Sequence, residues 1–292
     1  MNRLATVLVA SGWALLPPLG AARAQALNPA VRELVRPPVQ PGKFRLYLLV
    51  GQSNMAGRGR VEAQDTVADA RVLRLNQAGQ WEVAKDPLHF DKPVAGVGPG
   101  LTFGKELAKL DAGVVIGLIP CAVGGSAMAH WQPGAYFADT KTHPYDDALA
   151  RARVAMQRGT LAGIIWHQGE SDSSPGKSAA YSLNLTALIA RFRQDLQAPT
   201  LPFVAGQLPV FQLTKPGANG LATINGPAVR INTTIAELTK KVPHYGYVAA
   251  TDTHDLGDHT HLDAASARLM GHRYAAAMHA LQPKKTNSKK RF

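Results

Sequence analysis

The sequence is poor in several features that define other classes of protein. It holds one cysteine, Cys121, in 292 residues, so neither an internal disulfide nor a metal site built on thiolates is possible and the fold rests on its core. It has no internal repeat of fixed period, and beyond its N-terminal segment no apolar run approaches the roughly 20 residues that a membrane span needs. Charged residues make up 18% of the chain and aromatic residues 7%, against 46% hydrophobic. That balance excludes a disordered or fibrous protein and suits one sizeable globular domain.

Acidic residues are absent from both ends, and this explains much of the formal net charge of +12. Arg3 and Arg23 precede any acid, and the last nine residues add Lys284, Lys285, Lys289, Lys290 and Arg291. The body between is only mildly basic. With no nucleic-acid motif beside the charge, no nucleic-acid partner is expected.

The first 24 residues read as a secretory signal peptide. A short positive start, Met1 to Arg3, precedes an apolar stretch from Leu4 to Leu19, and Ala22-Arg23-Ala24 fits a small-residue cleavage site. A membrane anchor fits less well, because Pro17 and Pro18 interrupt the stretch and it is short for a span. The expectation is an exported, periplasmic or secreted protein cleaved near Ala24, with no membrane anchor. Residues 25–42, carrying Pro29, Pro37, Pro38 and Pro41, read as a proline-rich strap. One domain is then expected over 43–282, with a basic tail at 283–292.

Within that domain, Phe44 to Val50, Val114 to Ile119, Leu161 to Trp166, Leu201 to Gly206 and Tyr245 to Ala250 are short apolar runs bounded by Gly, Pro or polar residues. This is the pattern of strands buried on both faces. Segments of helical spacing lie between them: Leu101 to Leu110, Tyr145 to Arg158, Ser178 to Leu196, Pro227 to Lys241 and Asp263 to Leu281. The alternation predicts an α/β fold, a parallel sheet covered on both sides. Right-handed crossovers then bring the C-terminal ends of the strands to one edge.

Four polar clusters follow strands and so converge on that edge. Gly51-Gln52-Ser53-Asn54-Met55-Ala56-Gly57 presents a serine at a turn, which serves equally as a helix N-cap. Cys121-Ala122-Val123-Gly124-Gly125-Ser126 offers paired glycines, compatible with close approach to a ligand or with a plain turn. Trp166-His167-Gln168-Gly169-Glu170-Ser171-Asp172 is dense in hydrogen-bonding groups. The fourth, from Asp252 to Asp263, sets Asp258 three residues before His261, and Thr260 and Asp263 have capping-box spacing. A serine hydrolase needs a base and a group that fixes the base's tautomer. Ser53, His261 and Asp258 can fill those roles, with the Ser53 and Gly125 N–H groups and the Gln168 amide as candidate oxyanion donors.

These four blocks resemble those of the sialate O-acetylesterase-like group, which includes the family six carbohydrate esterases, within the SGNH hydrolase superfamily. The resemblance runs from about Phe44 to Ala280. It implies a flavodoxin-like three-layer α/β/α sandwich and a serine esterase that removes acetyl groups from carbohydrates without a metal or other cofactor. Mapped onto this sequence, the nucleophile is Ser53, the base His261 and its partner Asp258. The glycine donor is Gly124 or Gly125, and Gln168 stands where the wider superfamily has asparagine. Glu170 and Asn54 are possible supporting groups. Acetylated xylan is the first expected substrate and O-acetylated sialic acid the second.

Two other readings compete. His254, Asp258, His259, His261 and Asp263 have spacings compatible with a zinc or manganese hydrolase, but that leaves Ser53 idle. A non-catalytic carbohydrate-binding protein would use Trp131, Tyr136 and Trp166 as stacking platforms, each of which fills a core equally well, and has no need of an Asp258–His261 pair. His167 is expected as a wall residue of the site, and His254 and His259 as residues of its rim. Cys121, with apolar neighbours, reads as a buried, inert thiol.

Overall fold

The structure is a computed structural model that describes residues 32–38, 40, 42–217 and 221–283. The expected signal peptide, the start of the strap and the tail from residue 284 onward lie outside the described residues. No helix among the described residues is long and apolar enough to cross a membrane.

Among the described residues, nine strands and six α-helices follow one another as β1 (Phe44–Gly51), α1 (Ser53–Ala56), β2 (Val72–Leu75), β3 (Trp81–Val83), α2 (Pro99–Leu110), β4 (Val115–Pro120), α3 (Pro144–Met156), β5 (Thr160–His167), α4 (Pro175–Asp195), β6 (Phe203–Gly206), β7 (Thr214–Pro216), β8 (Ala222–Ile224), α5 (Gly226–Glu237), β9 (Tyr245–Val248) and α6 (Ala264–Leu281). Seven strands form one sheet in the order β3-β2-β4-β1-β5-β6-β9, while β7 and β8 make a separate hairpin. All pairings in the large sheet are parallel except β2 with β3. The expected α/β sandwich is present, and β2, β3 and the β7–β8 hairpin are additions to the expected elements.

Strand β1 is central because both its faces are apolar. Phe44, Leu46, Leu48 and Val50 point into a core shared with Tyr145 of α3, Leu185, Leu188 and Phe192 of α4, and Ile231 and Ile235 of α5. Tyr47 and Leu49 point the other way, into a second core with Phe103 and Leu107 of α2 and Met270, Tyr274 and Met278 of α6. Each large side chain removed from water in this way contributes on the order of 1.5–3 kcal/mol. The chain leaves β1 to build β2, β3 and β4 on one side, then crosses to build β5, β6 and β9 on the other. The loops at the C-terminal end of β1 therefore diverge, which opens a crevice there.

Residues 32–38 lie along the sheet edge. Val83 N–H donates to Glu33 O and Val35 N–H to Trp81 O, so this part of the strap covers the exposed side of β3. At the start of α6, Asp263 is itself the N-cap and accepts from Ser266 N–H at 2.7 Å. The Thr260 hydroxyl turns instead to Asp258 O, so the expected Thr260–Asp263 capping box does not form.

Two histidines are buried neutral. His167 is fully enclosed, and its Nδ1 lies 3.0 Å from the Tyr274 hydroxyl, which itself donates to Trp166 O. The hydroxyl's proton is thus spent, Nδ1–H is the donor, and Nε2 has no partner among the described residues. Burial lowers both His167 and His89 to about 4. The unfolded chain takes up these protons near pH 6.5 while the native state refuses them, so stability falls from pH 6.5 down to about 4. Each histidine should account for about 3 kcal/mol of that loss. Urea unfolding across this window should show the decline, and His167→Gln should flatten its slope by about half.

Candidate active site

The turn after β1 is shaped by what cannot fit there. Gly51 has φ +128°, and a Cβ on it would stand 2.1 Å from His167 O on the neighbouring strand. Only glycine adopts this conformation at such close quarters. Gln52 N–H then bonds His167 O at 2.9 Å, and the chain enters the single turn of α1, with Met55 and Ala56 N–H bonded to Gln52 O. Ser53 is the first residue of that turn and is 5% exposed.

From the far end of the sequence, the loop before α6 brings His261 to it. His261 Nε2 lies 3.0 Å from Ser53 Oγ, and Nδ1 lies 2.6 Å from Asp258 Oδ2. The other Asp258 oxygen accepts from Thr260 N–H at 2.9 Å and His261 N–H at 2.8 Å. Slight burial opposes ionisation of this carboxyl, but the bonds from His261 and Thr260 outweigh it and hold it below the usual carboxylate range. An ionised carboxylate can only accept, so Nδ1 carries the proton and Nε2 is free to take one from Ser53.

The turn after β4 lies opposite. Val123 N–H bonds Gly51 O at 2.9 Å, Ser171 Oγ bonds Gly125 O at 3.0 Å, and Ser171 N–H reaches Gln52 Oε1 at 3.3 Å. Two hydrogen bonds thus link Gly125 to the residue before Ser53. The two glycines differ. Gly124 N–H is spent on Asp91 Oδ2 at 2.9 Å, and a Cβ there would meet Arg58 Nη2 at 2.2 Å. Gly125, at φ +89°, keeps its N–H without a partner among the described residues, as does Ser53. Of the candidate oxyanion donors, these two remain available.

The profile of a family described as carbohydrate esterase, sialic acid-specific acetylesterase, matches residues 43–280. The chain belongs to this family. The esterase is 33% identical over 192 residues to a probable carbohydrate esterase of Arabidopsis thaliana, covering 58% of this chain and 70% of the relative. The crystal structure of an Arabidopsis thaliana protein superposes with a TM-score of 0.68 at 27% identity, over 82% of this chain and 99% of that one. A carbohydrate acetylesterase from Xanthomonas citri gives 0.62 at 24% identity, over 82% of this chain and 57% of its own. The fold is that of the SGNH hydrolases, and the esterase is a carbohydrate O-acetylesterase.

Several expected site residues lie elsewhere in the esterase. Gln168 is fully buried, and its Nε2 donates to Asp172 Oδ2 at 2.5 Å and to Ser126 O at 3.2 Å. Both amide protons are spent, so it is not an oxyanion donor here. Trp131 and Trp166 are fully buried, packed edge to face at 5.1 Å, and are core residues rather than sugar platforms. His167 also lies in the core and does not line the site. Tyr136 alone of the three proposed stacking residues is exposed, beside His143.

The residues of the proposed metal site turn to separate partners. His259 pairs with Asp255, Asp263 caps α6, and the described residues contain no group of three or more histidines, cysteines or carboxylates arranged to hold a metal. His254 and His259 are exposed. Cys121 is buried, and burial pushes its thiol up to about 11.

Arg58 and Asp91 were not singled out from sequence. Their ion pair, 2.7 Å long with side chains 7% and 2% exposed, holds the Gly124 turn from behind. Arg58 directly follows the first block, but nothing in the loop around Asp91 announces its partner. Removing one member of a buried pair strands the other charge, so Asp91→Ala should cost about 3–5 kcal/mol in urea unfolding. His254→Ala, at an exposed position, should stay within about 0.5 kcal/mol of wild type.

Proposed function

We propose that this carbohydrate O-acetylesterase works through an acetyl-enzyme with Ser53 as nucleophile. The observation that carries the reading is the continuous chain of short hydrogen bonds from Ser53 through His261 to Asp258. Ser53 Oγ attacks the acetyl carbonyl carbon while His261 Nε2 takes the hydroxyl proton. The N–H groups of Ser53 and Gly125 stabilise the negative oxygen of the tetrahedral intermediate, each contributing about 2.7–4 kcal/mol. His261 then hands its proton to the departing sugar oxygen. Water, deprotonated by the same imidazole, cleaves the acetyl-serine to acetate and restores the serine. Asp258 keeps the imidazole in the required tautomer and offsets its charge when it is protonated.

For the sugar, a carboxylate-bearing ring such as O-acetylated sialic acid is the better reading, ahead of acetylated xylan. Lys92 Nζ stands 3.9 Å from where a Cβ on Gly125 would sit, and this ammonium makes no ion pair among the described residues. An acidic leaving group would find its counter-charge beside the reacting carbonyl. The family's description points the same way. The N-terminal segment further supports an exported enzyme, with cleavage near Ala24.

Acetate release should be measured from O-acetylated sialic acid, acetylated xylan and p-nitrophenyl acetate. Ser53→Ala should lower turnover about 10⁴-fold or more on every substrate that the wild type accepts, and dialysis against EDTA should leave wild-type turnover unchanged. Lys92→Ala should raise KM for the sialic acid ester about tenfold and leave p-nitrophenyl acetate alone. Equal turnover by Ser53→Ala would remove the serine mechanism, and loss of activity in EDTA would restore the metal reading.

A further inference from the structure

Asn54, the residue covalently joined to Ser53, is 2% exposed and makes its bonds almost entirely to distant parts of the chain. Its Oδ1 accepts from Leu262 N–H at 2.9 Å, and its Nδ2 donates to Thr260 O at 3.1 Å. Thr260 and Leu262 are the two neighbours of His261 in sequence. One side-chain amide thus grips the main chain on both sides of the histidine whose ring reaches Ser53. The second Nδ2 proton goes to Glu170 Oε1 at 2.6 Å, short enough for a charge-assisted bond.

The other polar supports of His261 do not tie it to the turn that carries Ser53. The bonds to Asp258 come from within the same loop, and Asp258 is 45% exposed at its side chain. Gln212 Nε2 reaches Thr260 O at 2.6 Å, but from the loop after β6 and from one side only. The Asn54 contacts join the base segment to the nucleophile's own turn. A carboxylate behind that amide keeps it from rotating, because a turned amide would set its oxygen against Glu170 and lose all three bonds. Glu170 Oε2 is buried with no partner among the described residues, and burial raises this carboxyl above its usual range. Such a placement is unfavourable for stability alone.

We infer that Asn54 and Glu170 form a clamp that sets the distance between Ser53 and His261. Both are positioning residues for the acetyl transfer, and the inference rests on Ser53 and His261 being the reacting pair. A displacement of about 1 Å between reacting groups costs on the order of 100-fold in rate, so the clamp acts on kcat and leaves substrate binding nearly untouched.

The test is hydrolysis of p-nitrophenyl acetate by wild type, Asn54→Ala, Glu170→Ala, the double variant and Glu170→Gln. Active sites are counted by end-point labelling with a fluorophosphonate, so that kcat is expressed per reactive serine. Asn54→Ala should lower kcat per labelled site about 100-fold with KM within threefold, and Glu170→Ala about tenfold. The double variant should be no slower than Asn54→Ala, as for residues acting as one unit. Glu170→Gln, whose amide oxygen can accept the same bond, should recover to within threefold of wild type.

A folded Asn54→Ala with kcat per site within threefold of wild type overturns the clamp. So does a loss explained by fewer labelled sites, which is what a purely structural role gives, and so does a double variant whose losses multiply. Should Asn54→Ala not fold, the Glu170 pair decides: equal kcat in Glu170→Ala and Glu170→Gln overturns the proposal. A wild type that neither labels nor turns over is a different result, which removes the serine mechanism itself and the clamp with it.

Discussion

The hydrogen bond between Ser53 and His261 joins residues 208 positions apart in the chain, and its own strength cannot account for its existence. A hydrogen bond nets about 0.5–1.5 kcal/mol, whereas ordering a single residue's backbone costs about 1–2 kcal/mol. The meeting of the two groups is therefore a consequence of the sheet. β1, buried on both faces, delivers Ser53 to the C-terminal edge, and α6, packed on the same sheet, starts three residues beyond His261. Each end is fixed by apolar burial before any polar bond forms between them. The polar contacts have only the last ångström to determine, the distance on which the proposed mechanism depends.

Around this meeting point the charges are divided by depth. Asp258, which in the proposed mechanism offsets the charge of a protonated His261, is half-exposed and held by short local bonds. Asp91 and Arg58 lie deep and neutralise each other while shaping the glycine turn. A buried pair gives little net stability but is costly to split. It therefore suits a support that must stay in one arrangement, whereas a carboxylate close to water tolerates a partner whose charge changes.

The sequence carries the sheet well where strands are long or free of charge, and poorly where a charged residue sits inside a strand of three or four residues. β2 is Val72–Leu75 with Arg74 in its midst, and β3 is Trp81–Val83 with Glu82 at its centre. The charge breaks the short apolar run by which β6 and β9, no longer than β2, are legible. Arg74 and Glu82 pair across the two strands, which lets polar residues occupy an otherwise apolar position. The site shows the same limit. Ser53, His261 and Asp258 can be brought together from strand order and spacing, because those features decide which edge a residue reaches. The fate of Gln168 depended on where its amide turned, and Asp172, four residues on and itself bonded by Met128 N–H, was there to take it. Trp131 and Trp166 likewise have the composition of a sugar platform, and only packing reveals that each fills the other's surroundings.

The paired glycines make the point most sharply, because they are alike in sequence and are required for opposite reasons. Gly124 is confined by space: its missing side chain makes room for the Arg58 guanidinium and lets its N–H reach Asp91. Gly125 has room for a Cβ, whose nearest neighbour would be Phe137 at 3.7 Å, but its φ of +89° is one that L-residues avoid. A side chain at Gly124 would push the ion pair apart. A side chain at Gly125 would have to hold that strained φ or shift the turn. The two positions thus protect one turn from two directions, and neither glycine can substitute for the other.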